Sequence, residues 1–358
     1  MKIDLSNNIR ALRKAHSLTQ QLADALGVTV GAVYKWEANL SAPDLSLLVA
    51  LADLFDTSVD VLLGYEVQSN KQAATVARLK EYLHNRDRDG LAEAEKALLR
   101  YPNSFAVVHE CATLYNLLGF IIHDKPLLRR SVELLERSRL LLAQNTDPTI
   151  SELSICNDIA LAYLGMDDAE TALEILKQNN PCGINNDQIG NTLAGTCNRP
   201  NEALDYLSVA LVANLASFDR IVNGYMNVFF KKDDYASGAS ILRLALELHT
   251  KLKRTGKTCY LDKEDVDLSV CLAYGLLQQG DLDGARESLR AAKRTAAAFD
   301  KDPNYSTDGI RYVVTAERHS AFADDRDVSA AEQIIGVLRV FDDDKLTTLW
   351  EEIDREEQ

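Results

Sequence analysis

Apolar residues recur every three or four positions along almost all of the chain, which is the spacing of one face of an α-helix. In residues 9–63 the apolar runs are short, and several follow residues that favour a helix N-terminus, including Thr29, Asp44 and Ser58. Gly27 separates two of these runs, where the end of a helix needs a left-handed residue. The pattern therefore predicts about five short helices in the first 64 residues.

The stretch 65–71 is polar and has no periodicity, so we expect a linker between a domain at 1–64 and a second domain at 72–358. After residue 71 the helical period continues to the end of the chain. Small residues recur at matching places in about seven successive helix pairs; they include Ala160, Ala172, Ala203, Ala210, Gly238, Ala245, Gly280, Ala285 and Ala292. Residues 203–210 fall on the second helix of one pair, and 225–229 fall on the first helix of the next.

These spacings resemble those of the tetratricopeptide repeat, best over 264–292 and less closely over 152–176 and 218–245. The resemblance implies a right-handed α-solenoid of paired antiparallel helices, in which small residues allow close approach and larger ones fill the space between pairs. The expected fold is all-α throughout. An irregular helical bundle with accidental small residues is the alternative.

The first domain resembles the Cro/CI-type helix-turn-helix of the XRE family. The matching segments are Ile9-Arg10-Ala11-Leu12-Arg13, Leu18-Thr19-Gln20-Gln21-Leu22-Ala23, Leu26-Gly27-Val28-Thr29, Val33-Tyr34-Lys35-Trp36-Glu37, Pro43-Asp44 and Leu48-Val49-Ala50-Leu51-Ala52-Asp53-Leu54-Phe55. The chain is one residue shorter than the family spacing Thr-Gln-x-x-Leu-Ala, so either the second helix begins differently or one residue is missing from the sequence. The resemblance implies a five-helix domain that binds a double-stranded DNA operator.

A recognition helix places its N-terminal residues in the major groove, and Thr29 is suited to cap such a helix at 30–38. Val33 and Trp36 then fall on the core side. The resemblance implies that the base-reading positions are Val30, Gly31, Tyr34 and Lys35, and that the phosphate-contact positions are Gln20, Thr29, Asn39 and Ser41. It also implies a partly buried ion pair between Arg13 and Glu37. The alternative for Tyr34 is an exposed, half-packed ring.

Taken over the whole chain, the charge balance argues against DNA binding, because 39 basic and 54 acidic residues give a formal net charge of −15. Residues 1–65 carry only −2 of it, so the acidity belongs to the long C-terminal part. The six cysteines form no C-x-x-C pair and predict reduced, buried thiols in a cytoplasmic protein. No apolar run reaches the roughly 18 residues of a membrane helix, so we expect no membrane partner.

No motif predicts an enzyme, a cofactor or a metal site. Gly256-Lys257-Thr258 looks like the end of a P-loop, but position 251, where the first glycine should stand, is Lys251. The six histidines show no spacing typical of metal ligands, and no G-x-S-x-G is present. Cys156 falls on a repeat-core position rather than at a nucleophile site.

The order of the two domains resembles that of the Rgg- and PlcR-type peptide-pheromone receptors of Gram-positive bacteria. The resemblance implies a homodimer in which a short peptide lies in the groove of the solenoid and changes the dimer geometry. The helix register predicts groove-facing positions for His109, Asn116, Asn157, Asn223 and Asn227. Asparagine can both donate to and accept from an extended peptide backbone. Three alternatives stay open: hydrated polar surface, a site for a protein effector, and a scaffold that only dimerises.

Overall fold

The computed structural model describes residues 4–18, 21–64, 71–314 and 328–356. Within these ranges the chain forms eighteen α-helices and two short 3-10 turns, Leu142–Gln144 and Pro181–Gly183, and no β-strand. An isolated bridge pairs Lys253 with Ile310. The chain divides into two compact units, unit 1 (Met1–Pro102) and unit 2 (Asn103–Gln358). The all-α prediction is confirmed.

Unit 1 begins with the five predicted short helices and ends with a helical pair. The helices are α1 Leu5–Ala15, α2 Gln21–Ala25, α3 Val30–Glu37, α4 Leu45–Leu54, α5 Val59–Leu63, α6 Gln72–Asn85 and α7 Gly90–Arg100. Ile9, Leu22, Trp36, Leu51 and Leu62 come from α1 to α5 and close one hydrophobic core. Of the predicted linker, residues 65–70 lie outside the described residues, and Lys71 is the N-cap of α6.

Unit 2 is a succession of helices in which most connections are short turns. The helices are α8 Phe105–Ile121, α9 Lys125–Leu140, α10 Glu152–Gly165, α11 Ala169–Gln178, α12 Asn186–Gly195, α13 Pro200–Phe230, α14 Tyr235–Leu252, α15 Tyr260–Gln278, α16 Leu282–Lys301, α17 Ala330–Phe341 and α18 Asp344–Glu356. Longer segments separate α9 from α10 and α16 from α17. From α8 to α16 each helix packs against the next in chain order, and α8 also packs against α10. Such packing between neighbours in sequence is what a tetratricopeptide-like array of helix pairs requires.

Small residues allow the helices of unit 2 to approach closely, as the repeat pattern predicts. A side chain at Gly238 on α14 would collide with the ring of Phe230 on α13. A Cβ at Gly190 on α12 would lie 2.6 Å from Cγ of Leu207 on α13. Both glycines are therefore needed for packing between helices rather than for an unusual backbone conformation.

Three expectations are wrong in detail. Residues 203–210 and 225–229 do not lie on separate helices, because both belong to the 31-residue helix α13. No proline follows Pro200 in this helix, and the apolar period continues through the lone Gly224, so nothing ends it. Residues 302–314 are not helical, and Cys182 is exposed rather than buried.

A buried network of charged side chains joins three helices of unit 2. The imidazole of His249 on α14 is 0% exposed and lies between two carboxylates, 3.0 Å from Asp219 on α13 and 2.6 Å from Asp265 on α15. The ammonium of Lys253 contacts the other oxygen of Asp265 at 2.5 Å and Asp262 at 2.8 Å. These charges compensate one another, as buried charges must.

No helix in the described part of the chain is long and apolar enough to cross a membrane. Over the same residues, no group of three or more His, Cys, Asp or Glu side chains is arranged to hold a metal ion.

Candidate nucleic-acid interface and candidate groove residues

Helix α3 is fixed at its start by the predicted cap. The hydroxyl of Thr29 accepts a hydrogen bond from the backbone N–H of Ala32 at 3.2 Å, and Thr29 itself has an extended conformation. Val33 and Trp36 point into the core of unit 1, where both are buried. One face of α3 is therefore held by packing, and the opposite face is left for solvent.

The outward face of α3 carries the residues predicted to read bases. The side chain of Val30 is 50% exposed, and that of Tyr34 is 68% exposed. Lys35 is also exposed, and a Cβ built on Gly31 would have no neighbour closer than 3.9 Å. The face is thus accessible and includes one cation and a point where a backbone can approach closely.

A bidentate ion pair ties α3 to α1. The guanidinium of Arg13 donates to both carboxylate oxygens of Glu37, from Nε at 2.5 Å and from Nη2 at 3.0 Å. These hydrogen bonds raise the pKa of Arg13 above its usual value. The sequence interpretation missed Arg10, which donates to the backbone oxygen of Glu37 at 2.9 Å. Its position one turn before Arg13 on α1 is a signal that could have revealed it.

The turn after α3 carries two of the predicted phosphate contacts. Asn39 has a left-handed conformation with φ of 56°, which asparagine tolerates well. The side chains of Asn39 and Ser41 are exposed, and the backbone N–H of Leu40 caps α3 by donating to the oxygen of Lys35 at 2.8 Å. The remaining predicted contact, Gln20, lies outside the described residues, as does Thr19.

Two of the predicted groove residues lie buried on α8. The ring of His109 packs against that of Phe105 in a tilted arrangement, with ring centroids 5.3 Å apart. Asn116 donates from Nδ2 to the backbone oxygen of Asp158 on α10 at 2.9 Å, and its Oδ1 has no hydrogen-bond partner within the described ranges. The amide of Asn116 therefore connects the first helices of two successive pairs.

Asn157 on α10 makes a reciprocal pair with Asn185, the N-cap of α12. Each amide nitrogen donates to the oxygen of the other side chain at 3.0 Å. Asn185 is 1% exposed and also donates to the backbone oxygen of Asn179. The sequence interpretation missed Asn185, although the run Asn179-Asn180 followed by Asn185-Asn186 marks this turn as rich in amides.

Asn223 and Asn227 lie exposed on α13, one turn apart. The amide nitrogen of Asn227 donates to the backbone oxygen of Asn223 at 2.8 Å, and among the described residues the side chain of Asn223 has no recorded partner. On the other flank of the exposed surface, Ile221, Tyr225 and Val228 form an apolar stripe at helical spacing. The two asparagines therefore lie together on the exposed surface of α13.

Among solved structures, the chain is similar to PlcR of Bacillus thuringiensis in complex with the peptide PapR7 and DNA. The identity is 13% and the TM-score 0.22, over 83% of this chain and 96% of that chain. It is also similar to the apo form of the competence regulator ComR from Streptococcus vestibularis, with 13% identity and a TM-score of 0.22 over 94% of this chain and 97% of that chain.

The helix-turn-helix family model HTH_3 matches residues 9–62, which span the capped and ion-paired α3. The uncharacterised HTH-type transcriptional regulator YobD of Bacillus subtilis is 40% identical over 80 residues, which are 22% of this chain and 70% of YobD. AnsR, an HTH-type transcriptional regulator of the same organism, is 39% identical over 77 residues, which are 22% of this chain and 63% of AnsR. This chain belongs to the helix-turn-helix family of DNA-binding transcriptional regulators.

Proposed function

We propose that this regulator binds a pseudo-palindromic operator as a homodimer, reads bases with α3, and is controlled by a short peptide that binds unit 2. The observation that carries the DNA-reading part of the proposal is that one face of α3 is fixed against the core while the opposite face is exposed. Its core face is fixed by Trp36 and by the Arg13–Glu37 pair, while Val30, Tyr34 and Lys35 are exposed. A rigid helix with a free N-terminal half is what the major groove accepts.

The test of base reading compares two lysines of unit 1. Operator candidates are selected from random double-stranded DNA, and binding is measured by fluorescence anisotropy for wild type, Lys35→Ala and Lys14→Ala. Both lysines are exposed, and both changes remove one positive charge, but Lys14 lies on α1. If Lys35 reads a base, its loss costs about 1–3 kcal/mol on the operator and little on other DNA. If Lys35→Ala weakens binding equally on every DNA sequence, Lys35 contacts a phosphate rather than a base. If binding is unchanged, Lys35 does not contact DNA.

The peptide part of the proposal is supported by the exposed surface of α13. Asn223 and Asn227 offer amide groups, and Tyr225 and Val228 offer apolar contact on the other flank of the same helix. An extended peptide presents both backbone polar groups and side chains, so it matches such a mixed surface. Residues 221–230 carry no charge, which favours a ligand held by hydrogen bonds and apolar contact.

The other predicted amides have different surroundings. Asn157 is satisfied by Asn185, and Asn116 is engaged with the backbone of α10, so a peptide would have to displace these contacts. We therefore propose Asn223 and Asn227 as the primary peptide contacts. His109 and Asn157 remain in the proposal as residues that hold the surrounding helices in place. Asn116 holds α10 through its amide nitrogen, whereas its amide oxygen has no partner among the described residues.

The peptide proposal is tested with a random heptapeptide library and the full-length chain. Asn227→Ala is expected to weaken the selected peptides and to leave DNA affinity without peptide unchanged. Asn157→Ala, the matched amide deletion, is expected instead to lower the stability of unit 2, because it leaves the buried Asn185 without its partner. If no peptide binds and dimerisation alone accounts for regulation, unit 2 is a scaffold; if a protein effector binds, it is a docking module.

A further inference from the structure

Asp158 on α10 is a carboxylate that unit 2 leaves uncompensated. Its side chain is only partly exposed, and the structure places neither a hydrogen-bond donor nor a cation on it in the described part of the chain. Other buried carboxylates of unit 2 do have a partner, since Asp219 and Asp265 both contact the imidazole of His249. A partly buried, uncompensated charge is costly to the fold and is typical of a binding site rather than of packing.

A second unsatisfied acceptor lies against the same turn of α10. Asn116 on α8 is 5% exposed, and its amide nitrogen donates to the backbone oxygen of Asp158 itself at 2.9 Å. The other polar atom of that amide, Oδ1, has no hydrogen-bond partner in the part of the chain that the structure describes. Since α8 and α10 are the first helices of successive pairs and pack directly together, both acceptors belong to one junction. The junction has an excess of acceptors and lacks a donor.

The electrostatics of this junction favour a positive ligand. Burial raises the pKa of Asp158 to about 6, and no nearby charge contributes to the shift. The carboxylate is therefore ionised at neutral pH but poorly solvated. Residues 103–358 hold 27 basic and 41 acidic residues, a net charge of −14, so unit 2 also attracts cations over longer distances.

We propose that Asp158 and Asn116 form a subsite for a guanidinium or ammonium group of the ligand of unit 2, namely an arginine or lysine side chain of the bound peptide. A guanidinium carries five donors in a fixed planar arrangement, so it can satisfy a carboxylate and an amide oxygen together. This inference rests on the proposed function in that the cationic group is carried by a peptide. The peptide would then run from α13 towards α10, or a second part of it would bind there.

The experiment uses two random heptapeptide libraries that differ at one fixed position, arginine in one and citrulline in the other. Citrulline keeps the shape and most donors of arginine but has no charge. Each library is selected on the full-length chain, and the binders are measured by calorimetry on wild type, Asp158→Asn and Asp187→Asn. Asp187 on α12 is exposed, so Asp187→Asn makes the same change in net charge without touching the junction.

We expect arginine peptides to bind wild type about tenfold or more tightly than their citrulline counterparts, as for a hydrogen bond to a charged group. Asp158→Asn should remove that preference, and Asp187→Asn should retain it. Asp158→Asn should also raise the unfolding temperature of unit 2 at pH 8, because it removes an uncompensated charge. A lower unfolding temperature would assign the carboxylate a structural role and overturn the proposal.

The remaining outcomes separate this subsite from the proposed function. If peptides bind but neither citrulline nor Asp158→Asn changes their affinity, the subsite is refuted and peptide control stands. If no peptide binds, N-acetyl-arginine amide and N-acetyl-citrulline amide are used as probes. Binding of the arginine compound alone, lost in Asp158→Asn, supports the subsite for a small cationic ligand and refutes peptide control. Binding of neither compound refutes both.

Discussion

Replacing His249 with glutamine should destabilise unit 2 in a strongly pH-dependent way. The imidazole is fully buried and donates to Asp219 and Asp265 at once, so it must be protonated to satisfy both. Burial alone would lower the pKa of His249, but the hydrogen bonds and charges of the two aspartates outweigh burial and raise the pKa to about 9. His249→Gln removes the charge and leaves two buried carboxylates, of which that of Asp265 still contacts Lys253.

The free energy that protonated His249 contributes to stability follows from the difference between its pKa values in the folded and unfolded chain. A histidine that titrates near 6.5 when unfolded and at about 9 when folded contributes about 3 kcal/mol of stability. Because the folded pKa is raised, this contribution is fully present below pH 6.5 and is lost as the pH rises through about 9. Stranding buried charges by removing their partner costs about 3–5 kcal/mol by an independent argument, so the two estimates agree.

The assay is urea unfolding of the full-length chain between pH 6 and pH 10. The fluorescence of the chain's two tryptophans reports on the unfolding of different units, because Trp36 lies in the core of unit 1 and Trp350 in that of unit 2. A Trp36→Phe background therefore isolates the fluorescence of unit 2. His123→Asn is the control, since His123 is exposed and asparagine tolerates its left-handed backbone.

The expected result is a difference between wild type and His249→Gln of about 3 kcal/mol at pH 6 that shrinks steadily towards pH 10. The control should show no such dependence. A difference of equal size at pH 6 and pH 10 would mean that His249 is neutral in the folded chain and would refute the reasoning.

Two further predictions concern the capping of α3 and the close packing of α14. Thr29→Ala should destabilise unit 1 by about 1 kcal/mol, because the backbone N–H of Ala32 in the first turn loses its acceptor. The unfolding of unit 1 is followed through Trp36 fluorescence, and unchanged stability would show that the cap does not stabilise α3. Gly238→Ala should lower the stability of unit 2 by about 1–3 kcal/mol, because the methyl group collides with Phe230. The matched Gly336→Ala has open space around its Cβ and should instead stabilise by about 0.5–1 kcal/mol, so equal effects at the two sites would contradict this account.

The short helices of unit 1 were predictable because their signals are local. A threonine cap, a left-handed Gly27 and a core tryptophan each act within one turn of the residue that carries them. The Arg13–Glu37 pair crosses 24 positions and was still anticipated, but through family resemblance and not through the pattern of polar residues. Local chemistry predicts where helices begin and end, and it rarely predicts which side chains meet.

Helix α13 shows that a repeat pattern can predict a helix end that the folded chain does not have. A repeat pattern places the second helix of one pair and the first helix of the next at fixed offsets, and it assumes a turn between them. The turn requires residues that stop a helix, and between Ala210 and Tyr225 the chain offers only Gly224, which costs about 1 kcal/mol in a helix interior. Packing of the apolar positions outweighs that cost, so the helix continues for 31 residues. Repeat spacing therefore predicts which face of a helix is buried more reliably than it predicts where one helix ends and the next begins.

The residues predicted to face a groove show the same difference between a predicted face and the contacts that form. Helical register can place Asn116 and Asn157 on corresponding faces of α8 and α10, but it says nothing of the partners those amides find. In the folded chain Asn157 meets Asn185, 28 positions away, and Asn116 meets the backbone of Asp158, 42 positions away. An amide that already bonds a neighbouring helix stabilises the stacking of that helix and has less capacity left for a ligand. Ligand contacts in unit 2 are therefore better sought where acceptors remain unsatisfied, at the exposed amides of α13 and at the uncompensated carboxylate of α10.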